Sequence, residues 1–162
     1  MDAIKIATEV TGSSGPTSAS ASLDELTPSA RFMLGTALYE AGAVERAEPH
    51  FRTVVEKQPT SGPARVALAE TLLSQANYAE AAEIAGGVEE ESPWRPASLV
   101  TELVARMLAG DLESARTTLE HSGSSLPAEQ RTTLLACVTV LLNRTPPPGV
   151  LVGVIWMASL GA

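Results

Sequence analysis

Aromatic side chains are scarce in this sequence of 162 residues: two Trp, two Tyr and two Phe, 4% of the total. A β-sandwich built on alternating aromatic and β-branched residues is therefore a poor fit. Cysteine occurs once, as Cys137, so no internal disulfide can form. His50 and His121 are the two histidines, and zinc-site Cys/His spacing is absent. Basic residues are short as well, 11 Lys and Arg against 19 Asp and Glu, for a net charge of -8. That field repels nucleic-acid phosphates and anionic lipid, which excludes nucleic acid as a partner and argues against a membrane surface. Residues 1–10, MDAIKIATEV, lack the continuous apolar core of a secretory signal, and the expected location is cytoplasmic.

What remains is a chain able to fold. Hydrophobic residues make up 44%, the mean hydropathy is +0.11, and the length suits one domain. Alanine recurs throughout, which favours closely packed helices. Three parts are expected: a flexible leader over residues 1–22, a helical domain over 23–144, and a proline-rich break with an apolar tail over 145–162. The leader rests on TGSSGPTSASAS at 11–22, which offers almost nothing to bury. Residues 23–26 suit one short turn capped by Ser22. Thr27-Pro28 is a stronger helix start, because a hydroxyl can accept from orphan N–H groups and proline needs no donor at the first helical position.

A period of 34 residues runs through the domain. Ala47, Ala81 and Ala115 are spaced by it, within GAVERAEPHF, ANYAEAAEIA and GDLESARTTL. Each unit has an apolar-periodic run, a break near Gly42, Ala76 or Gly110, and a second run, which predicts three helical hairpins. Pro59 and Pro63, then Pro93 and Pro96, fall where one hairpin stops and the next begins. Small residues at Gly35, Ala47, Ala69, Ala81 and Ala115 are expected to let helices approach, with Leu34, Leu38, Phe51, Leu68 and Leu72 filling the space between. The run at 129–143 predicts a terminal helix, with Ala136 and Cys137 in the register of Leu34 and Gly35.

Catalytic groupings are not found. No nucleophile stands beside a base, and Gly12-Ser13-Ser14-Gly15 lacks the preceding strand and following Lys-Ser/Thr of a phosphate loop, so it reads as linker. Glu89-Glu90-Glu91 reads as a solvated charge run ending a helix before Ser92-Pro93. His50 and His121 read as surface or boundary residues, and Cys137 as a small packed one. No catalytic residue, metal ligand or cofactor is expected.

Leu34-Gly35, Leu38, Gly42, Ala47, Phe51, Val54 and Pro59 in the first unit resemble the tetratricopeptide repeat family. Leu68-Ala69, Leu72, Tyr78, Ala81, Val88 and Pro93 repeat the pattern in the second. Gly110, Asp111, Leu112, Ala115 and Leu119 do so in the third, where Glu102-Leu103 replaces Leu-Gly and a different packing of the first helix is expected. The resemblance implies an all-α, tetratricopeptide-like solenoid of about three hairpins plus a C-terminal helix. It also implies a concave groove lined by the first helix of each hairpin. The groove residues it implies are Phe32, Thr36, Tyr39 and Glu40, then Val66, Glu70, Leu73 and Ser74, then Val100, Val104, Met107 and Leu108. Family members that grip a peptide carboxylate use a Lys/Asn/Arg clamp; the corresponding residues here are Phe32, Thr36, Ala67, Ala97 and Thr101.

The expected function is a non-catalytic scaffold that holds a protein or peptide, such as an amphipathic helix, in that groove. The tail VLVGVIWMASLGA at 150–162 motivates other readings. At about 1.5 Å per residue a helix of that length reaches about 20 Å, against about 30 Å of hydrocarbon, so it cannot cross a membrane unaided. Docking on the 129–143 helix or in the groove, continuation into the next helix of a longer protein, and a membrane-surface anchor all stay open. Continuation would make the chain the regulatory or substrate-presenting part of a larger enzyme, such as a glycosyltransferase. Docking in a neighbour's groove would make it self-associating.

Overall fold

The hydroxyl of Thr27 accepts the Ala30 N–H at 3.2 Å, and Pro28 opens the first helix where its missing donor costs nothing. From there the computed structural model describes an all-helical chain over residues 26–143. Seven α-helices are present in this region: α1 Pro28–Glu40, α2 Val44–Lys57, α3 Gly62–Ser74, α4 Tyr78–Gly86, α5 Arg95–Ala109, α6 Leu112–Ser122 and α7 Ala128–Asn143. The leader and Ser22 cap, the proline-rich break and the tail at 150–162 lie outside the described residues.

Three turns repeat the same hydrogen bonds. Gly42, Ala76 and Gly110, each 34 residues from the next, take left-handed φ values of 76°, 61° and 80°. The following amides of Ala43, Asn77 and Asp111 reach back to the carbonyls of Leu38, Leu72 and Arg106, each at 2.9 Å. This six-to-one bond satisfies a carbonyl that the helix end leaves open and reverses the chain. The hairpins are therefore α1 with α2, α3 with α4, and α5 with α6. Each second helix packs on the first helix of the next hairpin, and α3 touches both α1 and α5.

Gly35, Ala47, Ala69, Ala81 and Ala115 are buried at the helix crossings, and Phe51, Leu68 and Leu72 are buried among them. Leu34 and Leu38, on the first described helix, are half-buried. Leu99, Leu103, Met107, Ala115, Leu119, Leu134 and Val138 form a second core shared by α5, α6 and α7. α7 turns Leu134 and Val138 inward and leaves Leu135 and Val140 exposed. No described helix is long and apolar enough to cross a membrane.

Several expectations change. α4 ends at Gly86, short of the acidic run, so Glu89-Glu90-Glu91 lies in the loop to α5. Gly86 and Gly87 end it where close neighbours leave no room: a Cβ on Gly86 would lie 3.2 Å from the Glu102 carboxylate, and one on Gly87 would collide with Arg65. Glu90 is not merely solvated, since it pairs with Arg95 at 3.0 Å and accepts from Ser122 at 2.8 Å. His50 is not a surface residue. Ala47, His50, Phe51 and Val54 form one buried face of α2. The different packing expected of α5 is a buried ion cluster, with Glu102 bonded to Arg95 and Arg106.

Candidate functional site

Residues four and seven apart on a helix share a face, so Phe32, Thr36, Tyr39 and Glu40 form a stripe along α1. Pro63, Val66, Ala67 and Glu70 make the matching stripe on α3. Where the two stripes meet the start of α5, they enclose an open cavity of about 470 Å³ lined by these residues with Phe51, Trp94 and Ala97. The Thr36 hydroxyl turns back to donate to the Phe32 carbonyl at 3.0 Å, which leaves its methyl as the groove contact. The Phe32 and Phe51 rings are tilted at 60° with centroids 5.6 Å apart, giving one wall a fixed aromatic surface.

Trp94 closes the other end at 44% exposure. It lies across the start of α3, where a Cβ on Gly62 would meet the Trp94 Cβ at 2.8 Å, so glycine at 62 is what admits it. The Tyr39 and Ser74 hydroxyls are 3.3 Å apart and tie α1 to α3 at the rim.

Glu40 and Glu70 bring the only formal charges to this lining, and no Lys, Arg or His accompanies them. Glu70 meets solvent at the groove mouth, yet the surrounding walls strip part of its hydration and push its carboxyl above the ordinary value. No ion pair or side-chain hydrogen bond is made by its carboxylate among the described residues.

Thus Phe32, Thr36, Tyr39, Glu40, Val66 and Glu70 meet in one cavity, and Ser74 reaches its rim through Tyr39. Leu73 is half-buried against the first core, and Val100, Val104 and Leu108 pack against the second. Met107 is a correction: it is 2% exposed and belongs to the core that α5 shares with α6 and α7. Sequence reasoning had no place for Phe51 or Trp94 in the groove. An aromatic flanked by Pro93 and Pro96 at a hairpin boundary was the available signal for Trp94. Of the positions where a carboxylate clamp would stand, Phe32, Thr36, Ala67 and Ala97 line the cavity and carry no cation.

Elsewhere, burial and the nearby Arg31 and Arg46 charges hold His50 below the ordinary histidine value. His121 is exposed, its Nδ1 2.8 Å from the Thr117 carbonyl. Burial raises the half-buried Cys137 thiol, which disfavours its reactive thiolate. Among the described residues no group of three or more His, Cys, Asp or Glu could hold a metal ion.

No curated protein and no solved structure matches the chain significantly. The family model of the tetratricopeptide repeat matches residues 38–93, from the last turn of α1 through α4 and the loop beyond it. Together with the three hairpin turns in register, that match makes residues 38–93 similar to the tetratricopeptide repeat, a repeat whose general work is protein–protein interaction.

Proposed function

We propose that this chain is a non-catalytic interaction scaffold that holds a peptide or an amphipathic helix of a partner protein in the groove between α1, α3 and the start of α5. The observation that carries this reading is the cavity of about 470 Å³. It is large enough for several side chains and is lined by aromatic and aliphatic groups with few polar ones, as recognition sites are. Its walls are the faces of two stacked helices fixed by core packing, so the surface is largely formed before a partner arrives, which limits the entropy lost on binding. A helix presenting apolar side chains at i, i+3, i+4 and i+7 would match the stripes on α1 and α3.

The test is site-specific photocrosslinking. A photoreactive phenylalanine analogue at Thr36, in the groove, should join covalently to a partner, whereas the same group at Glu56, exposed on the outer side of α2, should not. The cross-linked peptide identified by mass spectrometry then gives the bound segment. Cross-links from position 56 but not from 36 would place the partner on the outer surface and overturn the assignment.

A further inference from the structure

We infer that the groove selects a segment bearing a cationic side chain, Lys or Arg, flanked by apolar residues, with the cation seated at Glu70 and Glu40 beside Tyr39 and the apolar flanks lying toward Phe32 and Trp94. This rests on the groove reading and narrows it.

Charge complementarity is the first argument. The cavity carries two carboxylates and no cation, whereas other carboxylates of the fold are neutralised within the chain. Glu48 and Glu80 pair with Arg52 at 2.7 Å each, and Glu102 pairs with Arg95 and Arg106. Glu70 has no such partner, and the walls around it remove part of its hydration. An acid left in that state lowers stability, because the fold disfavours its ionised form at neutral pH. A cation from outside would relieve that cost.

The second argument is the surrounding surface. Phe32, half-buried against the Phe51 ring, and the half-exposed Trp94 indole give the rest of the groove an apolar surface. Tyr39 lines the acidic end, where an aromatic ring attracts a cation in addition to the carboxylates, and the apolar walls accept the methylene stem of Lys or Arg. An acidic peptide finds the reverse, since no Lys, Arg or His lines the cavity.

The test uses the full chain as bait for a phage-displayed library of random 12-residue peptides. Selected peptides are resynthesised with fluorescein and titrated by anisotropy. The expected result is enrichment of Lys or Arg beside Leu, Ile, Met or aromatic residues. Replacing that one cation by Gln in the peptide should weaken binding by about tenfold, and so should Glu70→Gln in the protein. Added salt should weaken the wild type more than the variant. Thermal stability separates this role from a structural one, because Glu70→Gln should melt at the same or a higher temperature while binding worse.

If the peptides lose binding on Thr36→Trp, which fills the groove, but show no cation preference, the cation site is overturned and the groove reading stands. Enrichment of acidic peptides overturns the cation site as well. If no enriched peptide responds to Thr36→Trp, the groove reading itself fails.

Discussion

Phe51 occupies the space that a side chain at Gly35 would need: a Cβ built at position 35 would lie 2.8 Å from the Phe51 Cε1. The ring cannot swing away freely, since Phe51 is 2% exposed and packed on Phe32. One repeat further on the same two positions hold Ala69 and Ala85, and in the third hairpin Leu103 and Leu119, all buried. The first hairpin thus joins the smallest residue to the largest, and the second uses two small ones. Gly35→Ala is expected to cost about 1–3 kcal/mol by overpacking. In Gly35→Ala/Phe51→Leu the loss should be smaller than the sum of the two single losses, measured by urea denaturation. Simple additivity would show that the close approach is not what requires glycine.

Ala76 holds a φ of 61° at the turn position where the neighbouring hairpins have Gly42 and Gly110. A Cβ in the left-handed region meets its own backbone, at a cost of about 1–2 kcal/mol relative to glycine. Part of the gain is offset because glycine leaves the unfolded chain freer. Ala76→Gly is therefore expected to stabilise the protein by about 1 kcal/mol and to raise the melting temperature. A lower melting temperature would mean that the Ala76 methyl makes a contact worth more than the strain.

The hairpin turns were legible in the sequence because three copies of one signal reinforce each other, and Thr27 because a cap followed by Pro28 is a local chemical instruction. The faces of α1 and α3 were legible for the same reason of spacing: Phe32, Thr36, Tyr39, Val66 and Glu70 recur at helical intervals. What escaped depended on rotation and on neighbours. Met107 has the right interval on α5, but it turns into the core shared with α6 and α7. Phe51 reaches the groove only because Gly35 leaves the ring room. Trp94 lies in a connection, where periodicity carries no information. Pro49 sits inside α2 without ending it, since packing of the Ala47, His50, Phe51 and Val54 face outweighs one missing hydrogen bond.

His50 should make stability depend on pH. Its ordinary value is 6.5, and burial, then Arg31 and Arg46, lower it in the folded chain, while its Nδ1 has no hydrogen-bond partner. The unfolded chain then binds the proton more readily than the folded one. The stability tied to neutral His50 is fully present above pH 6.5 and falls away as the pH drops through the lower folded value. Urea midpoints at pH 7.5 and 5.5 are expected to differ more for the wild type than for His50→Gln, which cannot titrate. Equal differences would remove His50 as the source.

Glu102 stands where the first two repeats have Leu34 and Leu68, and its side chain is only 5% exposed. One carboxylate oxygen meets Arg95 at 3.3 Å and the other meets Arg106 at 2.9 Å. Arg95, also 5% exposed, turns a second nitrogen to Glu90, which the Ser122 hydroxyl holds from α6. The cluster ties both ends of α5 to the loop before it and to the end of α6. Glu102→Leu would restore the apolar pattern of the repeat, yet it leaves the Arg95 guanidinium buried with only Glu90 to offset its charge. Breaking a buried pair from one side costs about 3–5 kcal/mol, and the surviving Glu90 contact puts the expected loss near the lower end, about 3 kcal/mol. Replacing the ions together, as Arg95→Met/Glu102→Leu/Arg106→Leu, leaves no charge stranded and is expected to recover most of that loss. If the single variant melts with the wild type, Glu102 is not holding α5 in place. If the triple variant is worse than the single, the arginine stems contribute through packing more than through charge.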